Sequence, residues 1–482
     1  LRVAQREHYL PGVRRFAWRW WVLDRRNAAL AGAGLAGVVA SAFSWWGVVP
    51  AALAVAVGPM GLGIRGRTSA LAWTARLRRL AATYAGLVVG TMAIDLAVPT
   101  SILTAAALVF LPVLADAALV MMIPLEDRLG SRWVRQAAEG LARSGARVVA
   151  ITGSYGKTST KGLVAHLLSA VTTVVPTPAS FNNRMGLARA INEHLAPGTD
   201  VFVAEMGTYG PGEIRDMCRW VPPDVAVMTA IGPVHLERMG SEEGIARAKR
   251  EILENARVAV VSIDHPLLAA IAEEESRLRR VIRCSASDRS ADVYADPLSG
   301  SVAVGETEIG SFDVDAARAG NVACAIGVVI ALGFDPGAVA GRLANLPTVP
   351  HRQSVEQSPR GFWYIDNTFN SNPAGARASL GLLMGREGTG RRVLVTPGMV
   401  EMGHRQASEN EALAREAGQM GVDTLVVVGR TNRAALIAGG EAGGVGSVIV
   451  VGTRDEAVAW VRDNLSPGDA VLYENDLPDH YP

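Results

Sequence analysis

Two long apolar tracts open the chain. Residues 27–64 carry no charged side chain, and residues 81–123 carry only Asp95 and Asp116. Each tract exceeds the roughly 20 residues that one helix needs to cross a bilayer. Ser44-Trp45-Trp46-Gly47 with Pro50 reads as an interfacial turn in the first tract, and Pro99-Thr100 breaks the second. The pattern predicts four spans in two hairpins. From residue 147 onward, short apolar runs alternate with helical stretches. Strands are predicted over 147–152, 200–205, 224–229 and 257–263, with helices such as 157–170 and 241–255 between them. A second set of strands is predicted near 361–366, 391–396, 423–428, 447–451 and 470–473, beyond a joint at 346–350. This alternation predicts mostly parallel sheets covered by helices.

Composition sharpens the division. The chain has 482 residues, with 47 Lys+Arg against 46 Asp+Glu, so its net charge of +1 argues against a nucleic-acid protein held by bulk charge. Hydrophobic residues at 49% point to a membrane part, while charged residues at 19% are too many for an all-membrane transporter. Seven arginines precede residue 27, five stand in 65–80 (Arg65, Arg67, Arg76, Arg78, Arg79) and five in 125–147, with none in the two outer turns. The positive-inside rule then places the N-terminus, the middle linker and the α/β body in the cytoplasm, which requires an even number of spans. Asp95 and Asp116 are costly at membrane depth and are functional candidates, with a solvated placement equally open. Cys218, Cys284 and Cys324 stand far apart without a C-x-x-C pair, which excludes a disulfide framework and a cysteine zinc ribbon.

The strongest local motif is Thr152-Gly153-Ser154-Tyr155-Gly156-Lys157-Thr158-Ser159, between a predicted strand and a predicted helix. Glycines let backbone N–H groups approach phosphate, the helix N-terminus favours negative charge, and a lysine reaches terminal phosphates. Ile151 stands where a generic phosphate loop has its first glycine, so a generic NTPase is not the best match. Glu205 is predicted at the end of one strand and His235 just past another, where open α/β sheets bind ligands. The chain has only three lysines, Lys157, Lys161 and Lys249. A lysine kept in an arginine-rich chain points to a need for its amine; Lys161, one turn along the loop helix, reads as surface.

These segments resemble the Mur ligases in their order along the chain. Carrying the resemblance are Thr152–Ser159, Ser180–Gly186, Glu205-Met206-Gly207, Gly210–Ile214, His235, Ala248-Lys249-Arg250-Glu251, Asp264-His265-Pro266, Gly320-Asn321-Val322, Arg352, Asp366–Pro373 and Pro397–Gly403. The branch that adds D-alanyl-D-alanine is the most similar. The expected fold class is α/β: the apolar tracts give an N-terminal helical transmembrane segment (1–126), and the resemblance implies a central parallel-sheet ATPase domain (127–346) and a C-terminal Rossmann-like domain (347–482). It implies an ATP-dependent amide-forming ligase that works through an acyl phosphate with Mg²⁺. Lys157, His235 and Lys249 are the implied catalytic residues. Gly153, Gly156, Lys157, Thr158, Ser159, Asn321, Arg352 and Asp366 would bind ATP. Thr158, Glu205, His235 and a carbamylated Lys249 would hold metal, and Asn182 and Asn183 would face substrate.

Two departures bear on substrate. The membrane segment stands where the family has a UDP-sugar-binding domain. The end of the chain, Tyr473–Pro482, is acidic and aromatic where that branch carries a basic Lys-Gly-Ser-Arg-like run. The expected partners are therefore ATP, an amino-acid or peptide substrate with a lipid-linked form as one option, and membrane lipid, without nucleic acid. A membrane-protein partner or a second copy of the chain stays open. The expected setting is the plasma membrane, with the catalytic domains cytoplasmic, in cell-envelope or peptidoglycan-related synthesis. The alternatives are a poly-γ-glutamate-like synthetase and an NTPase-driven transporter or sensor.

Overall fold

The computed structural model describes all residues except 63–70, 98–99, 315–317, 348–352, 370, 387, 389, 479 and 482. Arg65, Arg67, Pro99 and Arg352 thus lie outside the described residues, as does part of the expected joint at 346–350. The chain forms two compact units, Leu1–Gly130 with Leu477–Pro482, and Ser131–Asp476.

The first unit is helical. Its first apolar tract does not give two full spans. It forms helices Arg25–Ala40 and Val48–Val57, of 16 and 10 residues. At 1.5 Å per residue these reach roughly 24 and 15 Å, against a hydrocarbon core of about 30 Å. The turn between them, Trp45–Gly47, is packed close: a Cβ on Gly47 would stand 2.2 Å from the Ser41 nitrogen. Among the described residues one helix, Ala75–Leu96, is long and apolar enough to cross a membrane alone. Ile102–Val109 and Leu111–Ser144 qualify only as a pair, bent by 82°.

The two acidic residues of the second tract serve helix ends. Asp116 is buried, and its Oδ1 accepts the N–H groups of Gly12 (2.8 Å) and Val13 (2.7 Å), at the start of helix Val13–Trp21. Asp95 is buried and accepts the N–H groups of Leu103 (3.2 Å) and Thr104 at the start of Ile102–Val109. Neither helix has a side-chain cap from its own N-cap residue, so these carboxylates satisfy donors that would otherwise be orphaned. Leu477–Pro482, the last part of the acidic, aromatic end, belongs to this unit. Trp20 Nε1 donates to the His480 carbonyl (2.9 Å), His480 Nε2 meets Glu7 Oε1 (2.9 Å), and Phe16 packs edge-on against His480 and Tyr481.

The second unit holds two sheets. Nine strands form the first: β1 (Arg147–Thr152), β2 (Val174–Pro176), β3 (Val201–Glu205), β4 (Val225–Met228), β5 (Val258–Ser262), β6 (Arg280–Ser285), β7 (Val293–Ala295), β8 (Ser301–Val304) and β9 (Thr307–Ser311). Their order is β2-β3-β1-β4-β5-β6-β7-β8-β9, parallel through β7 and antiparallel after it. The second sheet contains β10 (Ser354–Gln357), β11 (Trp363–Asn367), β12 (Arg392–Thr396), β13 (Thr424–Val428), β14 (Ser447–Val451) and β15 (Ala470–Glu474), in the order β10-β11-β15-β12-β13-β14. Only the β10–β11 pair is antiparallel. Strands such as β3 and β12 are buried along their whole length, because helices cover both faces of a parallel sheet and a continuous apolar run is what such a strand requires. The predicted strands appear within one or two residues of their expected ends. β2, β6–β9 and β10 had no predicted counterpart.

Candidate active site

Three strand ends build the site. β1 lies between β3 and β4, with Ile151 level with Glu205 and Thr152 level with Met228. The phosphate-loop motif therefore leaves β1 beside the ends of β3 and β4, at the carboxyl edge of the sheet. It closes on helix Lys157–Leu168, whose first turn carries Thr158 and Ser159. Gly156, at φ 84°, caps that helix, and a Cβ there would stand 2.5 Å from Asn321 Oδ1. A Cβ on Gly153 would stand 2.0 Å from Thr229 Oγ1. Both glycines are thus demanded by what approaches them, and Asn321 sits against the loop. Thr229, just beyond β4, donates its hydroxyl to the loop carbonyls of Tyr155 (2.5 Å) or Thr152 (3.2 Å). The Lys157 ammonium folds back on the loop, donating to the carbonyls of Gly153 (2.7 Å) and Ser154 (3.4 Å).

Lys161 is not a surface residue. It is buried, and its Nζ lies 3.0 Å from Glu205 Oε2 and also donates to the Ala179 carbonyl. The Glu205 carboxylate, expected to face a metal, is held in this ion pair. Asn182 Nδ2 donates to its other oxygen at 3.1 Å. Burial would raise the Glu205 carboxyl, but Lys161, then Lys157 and these hydrogen bonds bring it below the ordinary glutamate value. Asn182 therefore serves Glu205. Asn183 accepts the Gly186 N–H at 2.9 Å and caps helix Arg184–His194. Neither is shown facing a substrate.

Lys249 lies on helix Glu242–Arg250 and is buried, with no hydrogen bond or ion pair among the described residues. Burial, then the charge of Lys157, pushes its ammonium well below the ordinary lysine value. His235 lies just before helix Leu236–Met239, and its Nδ1 contacts Glu401 Oε2 from the loop after β12. Asp366, in β11, accepts from the N–H (3.0 Å) and hydroxyl (2.6 Å) of Thr368. Among the described residues no three His, Cys, Asp or Glu side chains gather as a metal site. The expected metal set suits a dication only if Lys249 carries a negative charge, because Lys157 and Lys161 already surround the one carboxylate. Its isolated, deprotonation-prone amine is suited to acquiring that charge.

Sequence reading missed Lys161, Thr229 and Glu401 as site residues. Lysine scarcity was a usable signal for Lys161, and Glu401 lay inside a segment already matched to the family. The Mur ligase middle domain matches residues 151–329, and the Mur ligase, glutamate ligase domain matches residues 351–473. The UDP-N-acetylmuramoyl-tripeptide–D-alanyl-D-alanine ligase of Mycobacterium tuberculosis is 33% identical over 371 residues, 70% of this chain and 71% of that protein. Its Escherichia coli counterpart is 30% identical over 341 residues, 67% of this chain and 73% of that one. The MurF ligase of Thermotoga maritima in complex with ADP superposes with a TM-score of 0.57 at 26% identity, covering 72% of this chain and 80% of that one. MurF from Acinetobacter baumannii shares the fold with a TM-score of 0.62 at 24% identity, over 71% and 77% of the two chains. The phosphate loop, the strand-end residues around it and these likenesses agree that the chain belongs to the Mur ligase family of ATP-dependent, amide-forming ligases.

Proposed function

We propose that the protein is a membrane-associated ligase of peptidoglycan-related synthesis that joins an amine to a peptide or amino-acid carboxylate through an acyl phosphate. The carboxylate attacks the γ-phosphorus of ATP and ADP leaves. The amine then attacks the acyl carbon, phosphate leaves, and the amine's proton passes to solvent or base. Lys157 would exchange its loop carbonyls for phosphate oxygens and offset their growing charge. Asn321 would meet the adenine side of ATP, with Arg352 and Asp366 reaching it from the C-terminal domain. Mg²⁺, held by Thr158, Glu205, His235 and a carbamylated Lys249, would neutralise phosphate charge. Asn182 and Asn183 would line the approach of the carboxylate.

The observation that carries this reading is the buried, unpartnered amine of Lys249 beside the Lys157 charge. A neutral amine takes up CO₂ to give a carbamate and a released proton; arginine cannot. The test compares Lys249→Arg with Lys249→Ala. We expect Lys249→Arg to lose nearly all ligation, and Lys249→Ala to regain part of it with added short carboxylates. Normal ligation by Lys249→Arg would refute the carbamate. Support for the membrane setting comes from the first unit, which carries most of the large hydrophobic side chains exposed among the described residues, Phe43 and Trp46 above all. The peptide product is favoured over a poly-amino-acid by the full second sheet and by the named ligases the chain is similar to.

A further inference from the structure

The loop after β12 meets the segment after β4 through Glu401 and His235. His235 Nδ1 contacts Glu401 Oε2, and the Glu401 carbonyl accepts the Glu237 N–H at 3.4 Å. Nearby, Arg405 Nη1 donates to Glu242 Oε1 at 2.8 Å. The backbone at both partners is unusual: His235 has φ 63° and Glu401 has φ 64°. Non-glycine residues take this left-handed conformation at a steric cost, which persists where the surroundings over-determine it, as at functional sites. The His235 ring is also fixed from a second side, edge-on to Tyr209 at 5.0 Å between centroids, and the Arg238 guanidinium lies over Tyr209. Two strained residues from different sheet domains are thus spent on orienting one imidazole.

We propose that Glu401 is a positioning residue that ties the metal site to the approach of the C-terminal domain. A neutral imidazole has one N–H and one lone pair. With the Nδ1–H given to Glu401, Nε2 is left as the ligand atom and the ring can no longer turn. Carboxylates in this role behind metal-bound histidines fix the tautomer and strengthen the ligand. Glu401 belongs to the domain of the second sheet. When that domain moves away, His235 loses its orienting partner and the metal site loosens. The inference rests on the reading of His235 as a metal ligand.

The test counts Mn²⁺ bound to the full-length protein with a non-hydrolysable ATP analogue, by electron paramagnetic resonance. His235→Ala should lose one ion relative to wild type. Glu401→Ala should keep that ion but bind it about 10- to 100-fold more weakly. Glu401→Gln, whose amide oxygen can still accept from Nδ1–H, should recover much of the affinity. The double variant should bind no more weakly than His235→Ala alone. If His235→Ala loses the ion while Glu401→Ala binds it at wild-type affinity, the positioning role is overturned and the ligand reading stands. If His235→Ala keeps every ion, the ligand reading fails and takes the proposal with it. Should Glu401→Ala not fold, Glu401→Asp withdraws the carboxylate by one methylene and is judged in the same way: weakened binding supports the role, and unchanged binding overturns it.

Discussion

Replacing Lys161 by methionine tests the buried pair at the phosphate loop. The change keeps length and packing but removes the charge 3.0 Å from Glu205 Oε2. Lys161 and Glu205 side chains are 6% and 1% exposed, so solvent cannot take over the lost partner. Removing one member of a buried ion pair costs about 3–5 kcal/mol, because the other charge is left uncompensated. Glu205 keeps its Asn182 hydrogen bond at 3.1 Å and the attraction of Lys157, which places the cost at the low end, about 3 kcal/mol. For a unit of this size each kcal/mol lowers the thermal midpoint by roughly 2 °C, so a fall of about 6 °C is expected. The assay is thermal unfolding of the full chain in detergent, followed by tryptophan fluorescence. Lys161→Met with Glu205→Leu removes both charges together, and its midpoint should recover most of the loss, because an ion pair replaced by apolar side chains is often nearly neutral. A single variant within about 1 °C of wild type, or a double variant less stable than the single, would refute the pairing argument.

Lys157→Ala should abolish ATP turnover while leaving the fold intact, since it removes a charge at the phosphate loop rather than a core side chain; retained turnover at the wild-type rate would exclude this loop as the ATP site. Glu474 is buried, and burial raises its carboxyl to about 7 despite hydrogen bonds from Asn367 (2.9 Å to each oxygen) and Ser371. A raised carboxyl binds a proton more tightly folded than unfolded, so stability is greatest below about 4.5 and falls by up to about 3 kcal/mol as pH rises to about 7; denaturant titrations from pH 4.5 to 8 should show this slope flattened in Glu474→Gln, and an unchanged slope sinks the assignment. Reporters fused after Arg79 and after Arg147 should both read cytoplasmic by the arginine rule, and an external reading at Arg147 would remove the catalytic unit from its ATP supply.

What could be read from the sequence was what local pattern encodes. β1, β3, β4 and β5 are apolar runs dominated by Val and Ala, with Ile151, Phe202 and Met228 among them, and a strand buried on both faces admits little else. The phosphate loop was legible because its glycines are fixed by close neighbours, although those neighbours, Thr229 and Asn321, are 76 and 165 positions from Gly153 and Gly156 and left no mark beside them. Lys161 was misread for the same reason. Its helix turn looks like any exposed one, and the carboxylate that accounts for its burial stands 44 residues away. Asp116 shows the effect most plainly. At membrane depth an isolated carboxylate suggests function, yet this one binds two backbone donors 103 and 104 residues earlier in the chain. A buried charge in a sequence announces only that a partner exists. Whether that partner is a helix end, a lysine or a ligand is decided by which distant segments the fold brings alongside it, and here the fold that gathers the phosphate loop also brings Glu205 beside a lysine.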